Sequence, residues 1–135
     1  MLKTLNDKDI QRYAHQIILK NIGLKGQKKL LLSKVFILGM GGLGSPVSIY
    51  LASAGIGTLG IADFDKIELS NLQRQILFDH KNINKYKVET AKKKLLLINP
   101  KLKINIYKKK ITKKNIDNII KNYDVIVDGS DNFKT

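Results

Sequence analysis

Cysteine is absent from the 135 residues. Within this chain that excludes a disulfide framework, a thiolate zinc site and a cysteine nucleophile. No apolar run approaches the ~18 residues of a membrane span. Met1 to Asp7 hold no leader-type apolar stretch, so a cytoplasmic location is expected. Arginine is scarce: Arg12 and Arg74 are the only two among 25 basic residues. The net charge of +14 is therefore almost all lysine. Lysine, asparagine and isoleucine are abundant together, the composition of an AT-rich genome, and lysines on solvated faces account for most of the charge. A reader of nucleic acid uses arginine and aromatic residues more often, so nucleic acid is not the expected partner.

What is there suits a single soluble α/β domain: 43% hydrophobic and 27% charged residues. Helix is expected over residues 6–20, capped by Asn6 or Asp7, and over 27–32, after a loop marked by Gly23 and Gly26. Val35 to Leu38 reads as a buried parallel strand. Helix follows over 43–54, with Pro46 in its first turn. Thr58 to Ala62 is a second strand, and residues 64–86 form a long connection without clear period. Helix is expected over 88–98, stopped by Asn99-Pro100. Leu102, Ile104 and Ile106 alternate as a half-buried strand does. A helix over 113–122 and a strand over 125–127 complete the order. This alternation predicts a Rossmann-like fold: a mainly parallel sheet with helices on both faces, preceded by an N-terminal helical segment. The expected division is 1–34 for that segment and 35–135 for the nucleotide-binding part. The sequence stops just past a strand, where a doubly wound sheet ordinarily continues, so the expectation is part of a longer enzyme.

Gly39-x-Gly41-x-x-Gly44 follows a strand and opens a helix, the context a dinucleotide fingerprint requires. The first glycine permits the turn, the second lets phosphate approach the backbone, and the third lets helix pack on strand. The helix N-terminus offers N–H groups and partial positive charge to phosphate. Asp63 lies 19 residues after Gly44, at the end of the next strand, where a carboxylate can accept from ribose hydroxyls. The motif alone points to a nucleotide, by default NAD. Arg74, in a lysine-biased chain, suggests a need for the planar guanidinium fork that grips phosphate or carboxylate. Lys87 opens a helix, where a bound anion would offset its unfavourable place in the dipole. Asp128 and Asp131 follow the fourth strand, at the edge where open α/β sheets bind ligands, and one of them can hold Mg²⁺ with phosphates.

Together these residues resemble the family of enzymes that activate ubiquitin-like proteins, the ThiF/MoeB/HesA type. The resemblance is carried by Arg12-Tyr13-x-x-Gln16, Gly39 to Pro46, Tyr50 to Gly57, Asp63-Phe64-Asp65, Leu69 to Gln75, Lys87-Val88-Glu89, Asn99-Pro100 and Asp128 to Asn132, in family order. It implies ATP with Mg²⁺ in place of NAD. It also implies adenylation of the C-terminal glycine of a ubiquitin-like sulfur carrier ending in Gly-Gly, with release of pyrophosphate. Gly39, Gly41, Gly42 and Gly44 would form the phosphate loop. Asp63 and Asp65 would lie at the ribose side, Ser70, Asn71, Arg74 and Lys87 at the phosphates, and Asp131 on Mg²⁺ with Asn132 beside it. Arg74, Lys87 and Asp131 are the implied catalytic residues, and Arg12 is assigned to the ATP of a neighbouring subunit in a homodimer. The pathway implied is thiamine or molybdopterin biosynthesis, with a slight lean to thiamine from Leu69 to Phe78. A branch of the family acts on a modified tRNA base.

Two departures stand out. The family's second arginine, three residues after Arg12, is His15 here, a poorer phosphate partner. The family's later half, with its paired cysteines for structural zinc, is not in this sequence. The alternative reading is a non-catalytic or degenerate fragment that keeps a nucleotide or carrier surface. An NAD-dependent oxidoreductase has no support from Ser70 to Gln75.

Overall fold

The computed structural model describes residues 4–131. Its frame is a four-stranded sheet of β1 (Lys34–Leu38), β2 (Thr58–Ala62), β3 (Lys103–Tyr107) and β4 (Val125–Asp128), in the order β3-β2-β1-β4. Every pairing is parallel, with Phe36 opposite both Gly60 and Ile126. Six helices accompany it: α1 (Asp7–Arg12), α2 (Ala14–Ile17), α3 (Gly23–Leu32), α4 (Gly44–Ala54), α5 (Lys87–Ile98) and α6 (Ile116–Ile120). The fold is Rossmann-like, as its alternation predicts.

Successive strand residues point to opposite faces, and the two faces carry two cores. Ile37, Leu59 and Ile61 pack with Met40, Ile67, Val88 and Leu95 into the larger one, on the side of α4 and α5. Phe36, Leu38 and Ala62 pack with Ile111 and Ile119 of the α6 side. There the rings of Tyr107 and Tyr123 flank Phe36, and their hydroxyls lie 3.0 Å apart. Burial is the main driving force here, at roughly 1.5–3 kcal/mol for each large apolar side chain.

Three helices differ from expectation. Helix α3 starts at Gly23, not at residue 27, so the glycines expected in a loop form its first turn. The Gly26 amide donates to the Ile22 carbonyl at 2.7 Å, and glycine costs a helix only about 1 kcal/mol relative to alanine. The segment 6–20 is broken at Tyr13 into α1 and α2. Asn6 caps α1 in a capping box with Asp9, and the break turns Tyr13 into the interior, where it is 1% exposed. Helix α6 starts at Ile116, later than expected. The Asn115 side chain accepts from the Thr112 amide and donates to the Lys110 carbonyl, a local competition that holds the helix start back.

The N-terminal helices are clasped to the C-terminal end of α4 by side-chain amides. Gln16 and Gln27 both donate to the Ala54 carbonyl at 3.0 Å. Asn99, at the end of α5, donates to the Ala52 carbonyl at 2.9 Å and to the Tyr13 hydroxyl at 3.0 Å. Helix C-termini leave carbonyls unpaired, and this clasp satisfies them. Asn99→Ala removes both bonds. The Ala52 carbonyl keeps the Gly55 amide, but the buried Tyr13 hydroxyl loses its partner, and the change should cost on the order of 1–3 kcal/mol. Urea denaturation measures it, and a loss below about 0.5 kcal/mol contradicts the assignment.

The connection 64–86 is a closed loop. Lys66 bridges Tyr86, the Ile67 amide donates to the Lys85 carbonyl, and the Lys87 amide to the Asp65 carbonyl. Leu77 and Phe78 anchor it in the larger core. This closure brings Asn71, Arg74 and Lys87 to the carboxyl edge of the sheet.

Candidate nucleotide site

Strand order reverses between β1 and β4, so the loops that follow them diverge and leave a crevice. A cleft of about 660 Å³ lies there, lined by Gly39, Gly41, Gly42, Asp63, Asp65, Asn71, Arg74, Gln75, Lys87 and Asp131, among others. That volume falls in the ordinary range for small-molecule sites.

The four glycines of the loop differ in what they must do. Gly39 has φ of +91°, a left-handed conformation that favours glycine, and donates to the Ala62 carbonyl. Gly44 sits so close to the strand that a Cβ there would lie 1.8 Å from the Gly39 carbonyl oxygen. At Gly41 and Gly42 the nearest protein atoms to such a Cβ are side-chain atoms of Gln75 and Arg74, at 3.5 Å, an ordinary contact. The protein itself does not require glycine there, and a side chain would fill the floor of the cleft. Helix α4 then begins with no side-chain cap and no acidic residue in its first turn. The Ser45 amide donates to the Gly41 carbonyl and Pro46 has no N–H, which leaves the Leu43 and Gly44 amides for an anion.

Asp63 braces this loop. One carboxylate oxygen accepts the Met40 amide at 2.9 Å and the other the Asp65 amide at 2.8 Å. Each oxygen keeps a further lone pair for a ligand hydroxyl. Lys87 is 6% exposed, with its ammonium 3.7 Å from Asp65. Asn71 uses its side-chain oxygen to accept the Glu68 amide at 3.0 Å. Arg74 lies along Gly42, with one guanidinium N–H to the Ser70 carbonyl at 3.2 Å. Asp128 accepts from both the hydroxyl and the amide of Ser130, at 2.6 Å and 3.0 Å. Those bonds, the hydroxyl's first, hold its carboxyl below the ordinary 3.8. The turn that presents Asp131 therefore gains its full support above about pH 3.8 and loses it as pH falls further.

Gly39, Gly41, Gly42, Asp63, Asp65, Asn71, Arg74, Lys87 and Asp131 are thus brought to one cleft, with Gly44 packed beneath the loop. Ser70 does not line the cleft and meets Arg74 through its carbonyl. Arg12 lies elsewhere, donating to the Ile98 carbonyl at 3.0 Å. Asn132 lies outside the described residues. Sequence reasoning missed Lys109 and Lys110, which reach the cleft from the loop after β3, and Gln75. Four cations, Arg74, Lys87, Lys109 and Lys110, line it with three carboxylates. Such a mixture suits a polyanion with hydroxyl groups. Among the described residues no three His, Cys, Asp or Glu side chains cluster as a metal site.

A family model described as the ThiF family matches residues 13–135. The sulfur carrier protein ThiS adenylyltransferase of Escherichia coli K12 is 44% identical over 131 residues, 97% of this chain and 52% of the relative. A probable molybdopterin-synthase adenylyltransferase of Gracilaria tenuistipitata var. liui is 40% identical over 98% of this chain and 37% of the relative. The chain thus spans about a third to a half of these curated relatives. Among solved structures, E. coli MccB with AMPCPP and MccA superposes with a TM-score of 0.72 at 34% identity. That likeness covers 80% of this chain and 34% of MccB.

Proposed function

The chain belongs to the ThiF family, and from that membership we propose that the protein adenylates the C-terminal glycine of a ubiquitin-like sulfur carrier ending in Gly-Gly. ATP is the co-substrate and pyrophosphate the product. The observation that carries this reading is the cleft itself. Gly41 and Gly42 leave its floor open beneath Arg74, while Lys87 and Asp131 line the same space. Support also comes from the names of the relatives and from the AMPCPP held by MccB.

In this reading the phosphate chain lies on Gly39 to Gly44, against the N–H groups of α4. Asp63 takes the ribose hydroxyls, with Asp65 beside it holding Lys87. The free amide N–H groups of Asn71, together with Arg74 and Lys87, donate to the phosphates. The carrier carboxylate attacks the α-phosphorus in line. One carboxylate oxygen gains a bond to phosphorus, the bond to the β-phosphate oxygen breaks, and pyrophosphate leaves. Charge builds on that leaving group, and Arg74 and Lys87 are fixed to meet it. No protein nucleophile is required.

Magnesium fits the donor set, because Mg²⁺ is commonly held by one or two carboxylates with substrate phosphates rather than by a full protein cage. Asp131 is the carboxylate assigned to it, and the ion would supply charge neutralisation at the phosphates.

The partner surface continues past the cleft. Leu43, at the rim of the cleft just before α4, and Tyr50, on α4, are 67% and 74% exposed. Exposed apolar side chains of this kind favour a covered face, and a homodimer is the assembly proposed. Arg12 is assigned to the neighbouring subunit's ATP within it. A cytoplasmic location is proposed; no helix among the described residues is long and apolar enough to cross a membrane. The carrier is assigned to thiamine or molybdopterin biosynthesis, with zinc expected only in the part of the family absent from this sequence.

ATP–pyrophosphate exchange tests the reading in the full-length protein. Exchange should appear with a Gly-Gly carrier and vanish when its last glycine is removed. Exchange that ignores the carrier, or none with any such carrier, contradicts it.

A further inference from the structure

We infer that Gln75 is a binding residue of the cleft, its side-chain Nε2 donating to the phosphate chain of the nucleotide. The inference rests on the ATP reading above and adds a residue which that reading does not use. Gln75 is 3% exposed and lines the cleft. Its backbone is fixed on both sides: its amide donates to the Asn71 carbonyl at 2.9 Å, and its carbonyl accepts from Phe78 at 3.0 Å. The side chain is therefore set beneath the glycine loop by a rigid turn, next to Arg74.

Its side-chain Oε1 is buried and has no hydrogen-bond partner among the described residues, and it alone is in that state. A buried unpaired carbonyl destabilises the folded protein. Methionine would fill nearly the same volume without that cost. Stability of the free protein therefore does not account for an amide at this position. The other end of the same amide does. Nε2 lies 3.5 Å from the point a Cβ at Gly41 would occupy, so it borders the open floor of the cleft. Ionised phosphate oxygens only accept hydrogen bonds, which matches an N–H donor there. A donor held in a buried site, aimed at a charged acceptor, forms one of the stronger classes of hydrogen bond. Being neutral, it adds no charge to the four cations already lining the cleft. It can sense where a phosphate oxygen sits, where a flexible lysine responds mainly to charge.

Thermal melting of the full-length protein, with and without ATP–Mg²⁺, tests the inference in the variants Gln75→Met and Gln75→Glu. Gln75→Met should raise the unliganded melting temperature by about 3 °C, since the unpaired acceptor is gone. The same variant should weaken ATP binding about tenfold or more, read from the ATP dependence of the shift. Gln75→Glu keeps the shape but presents only acceptors, and should weaken ATP binding further. A fall in the unliganded melting temperature of Gln75→Met makes the amide a structural group and overturns the inference. So does an unchanged ATP shift in both variants, while the ATP reading stands. A wild type that shows no ATP-dependent shift overturns the ATP reading and this inference together.

Discussion

Arg74→Ala lowers carrier-dependent ATP–pyrophosphate exchange by about a hundredfold or more, and Lys87→Met does the same. Both cations line the cleft, where they meet the leaving phosphates at short range and the Coulomb attraction is largest. Neither loss should come from unfolding. Arg74 is exposed, and its one described hydrogen bond goes to the Ser70 carbonyl at 3.2 Å. Removing such a side chain changes stability by about 0.5 kcal/mol or less. Lys87 is buried, but its ion partner is 3.7 Å away and half exposed, and methionine keeps the apolar stem packed. Exchange kinetics and melting curves on the same samples check the pair. Activity lost together with the fold, or exchange within a factor of about three of wild type, contradicts the assignment of these two residues.

Gly44→Ala abolishes nucleotide binding by wrecking the loop, and destabilises the protein by on the order of 3 kcal/mol or more. The clash is with backbone: the new Cβ would sit 1.8 Å from the Gly39 carbonyl oxygen and 2.9 Å from its carbon. No rotamer relieves it, so either α4 or the end of β1 must move, and the larger core packs against both. Gly41→Ala separates fold from function in the opposite sense. Its Cβ meets only the Gln75 amide, at 3.5 Å, so the melting temperature should hold while ATP affinity falls. Calorimetric titration with ATP, beside melting curves for both variants, checks the contrast. A stable Gly44→Ala protein, or Gly41→Ala with unchanged affinity, contradicts the roles given to the two glycines.

The contrast also explains what was legible in the sequence. Gly39, Gly41, Gly44 and Asp63 lie within one strand-loop-helix-strand unit, so local spacing alone predicts their meeting. Arg74 and Lys87 are legible for another reason: family resemblance, and in Arg74's case the scarcity of arginine. Lys109 and Lys110 belong to a run of lysines after β3 with nothing local to single them out. Only the parallel pairing of β3 with β2 brings their loop beside Asp63. Ser70 shows the converse. The resemblance assigns it to the phosphates, yet the short turn at Leu69–Asn71 leaves it outside the cleft lining. The break at Tyr13 was not legible either, since it serves a clasp to Asn99 that lies 86 residues away in the chain. Periodicity cannot register a hydrogen bond of that range.

The central claim is that the carrier's carboxylate attacks the α-phosphorus of ATP in this cleft. Labelling that carboxylate with ¹⁸O, allowing adenylation, and then releasing AMP by attack of a thiol at the acyl carbon tests it most directly. One labelled oxygen should appear in AMP, with pyrophosphate unlabelled. Label retained wholly in the carrier, or ADP and phosphate as products, contradicts the claim.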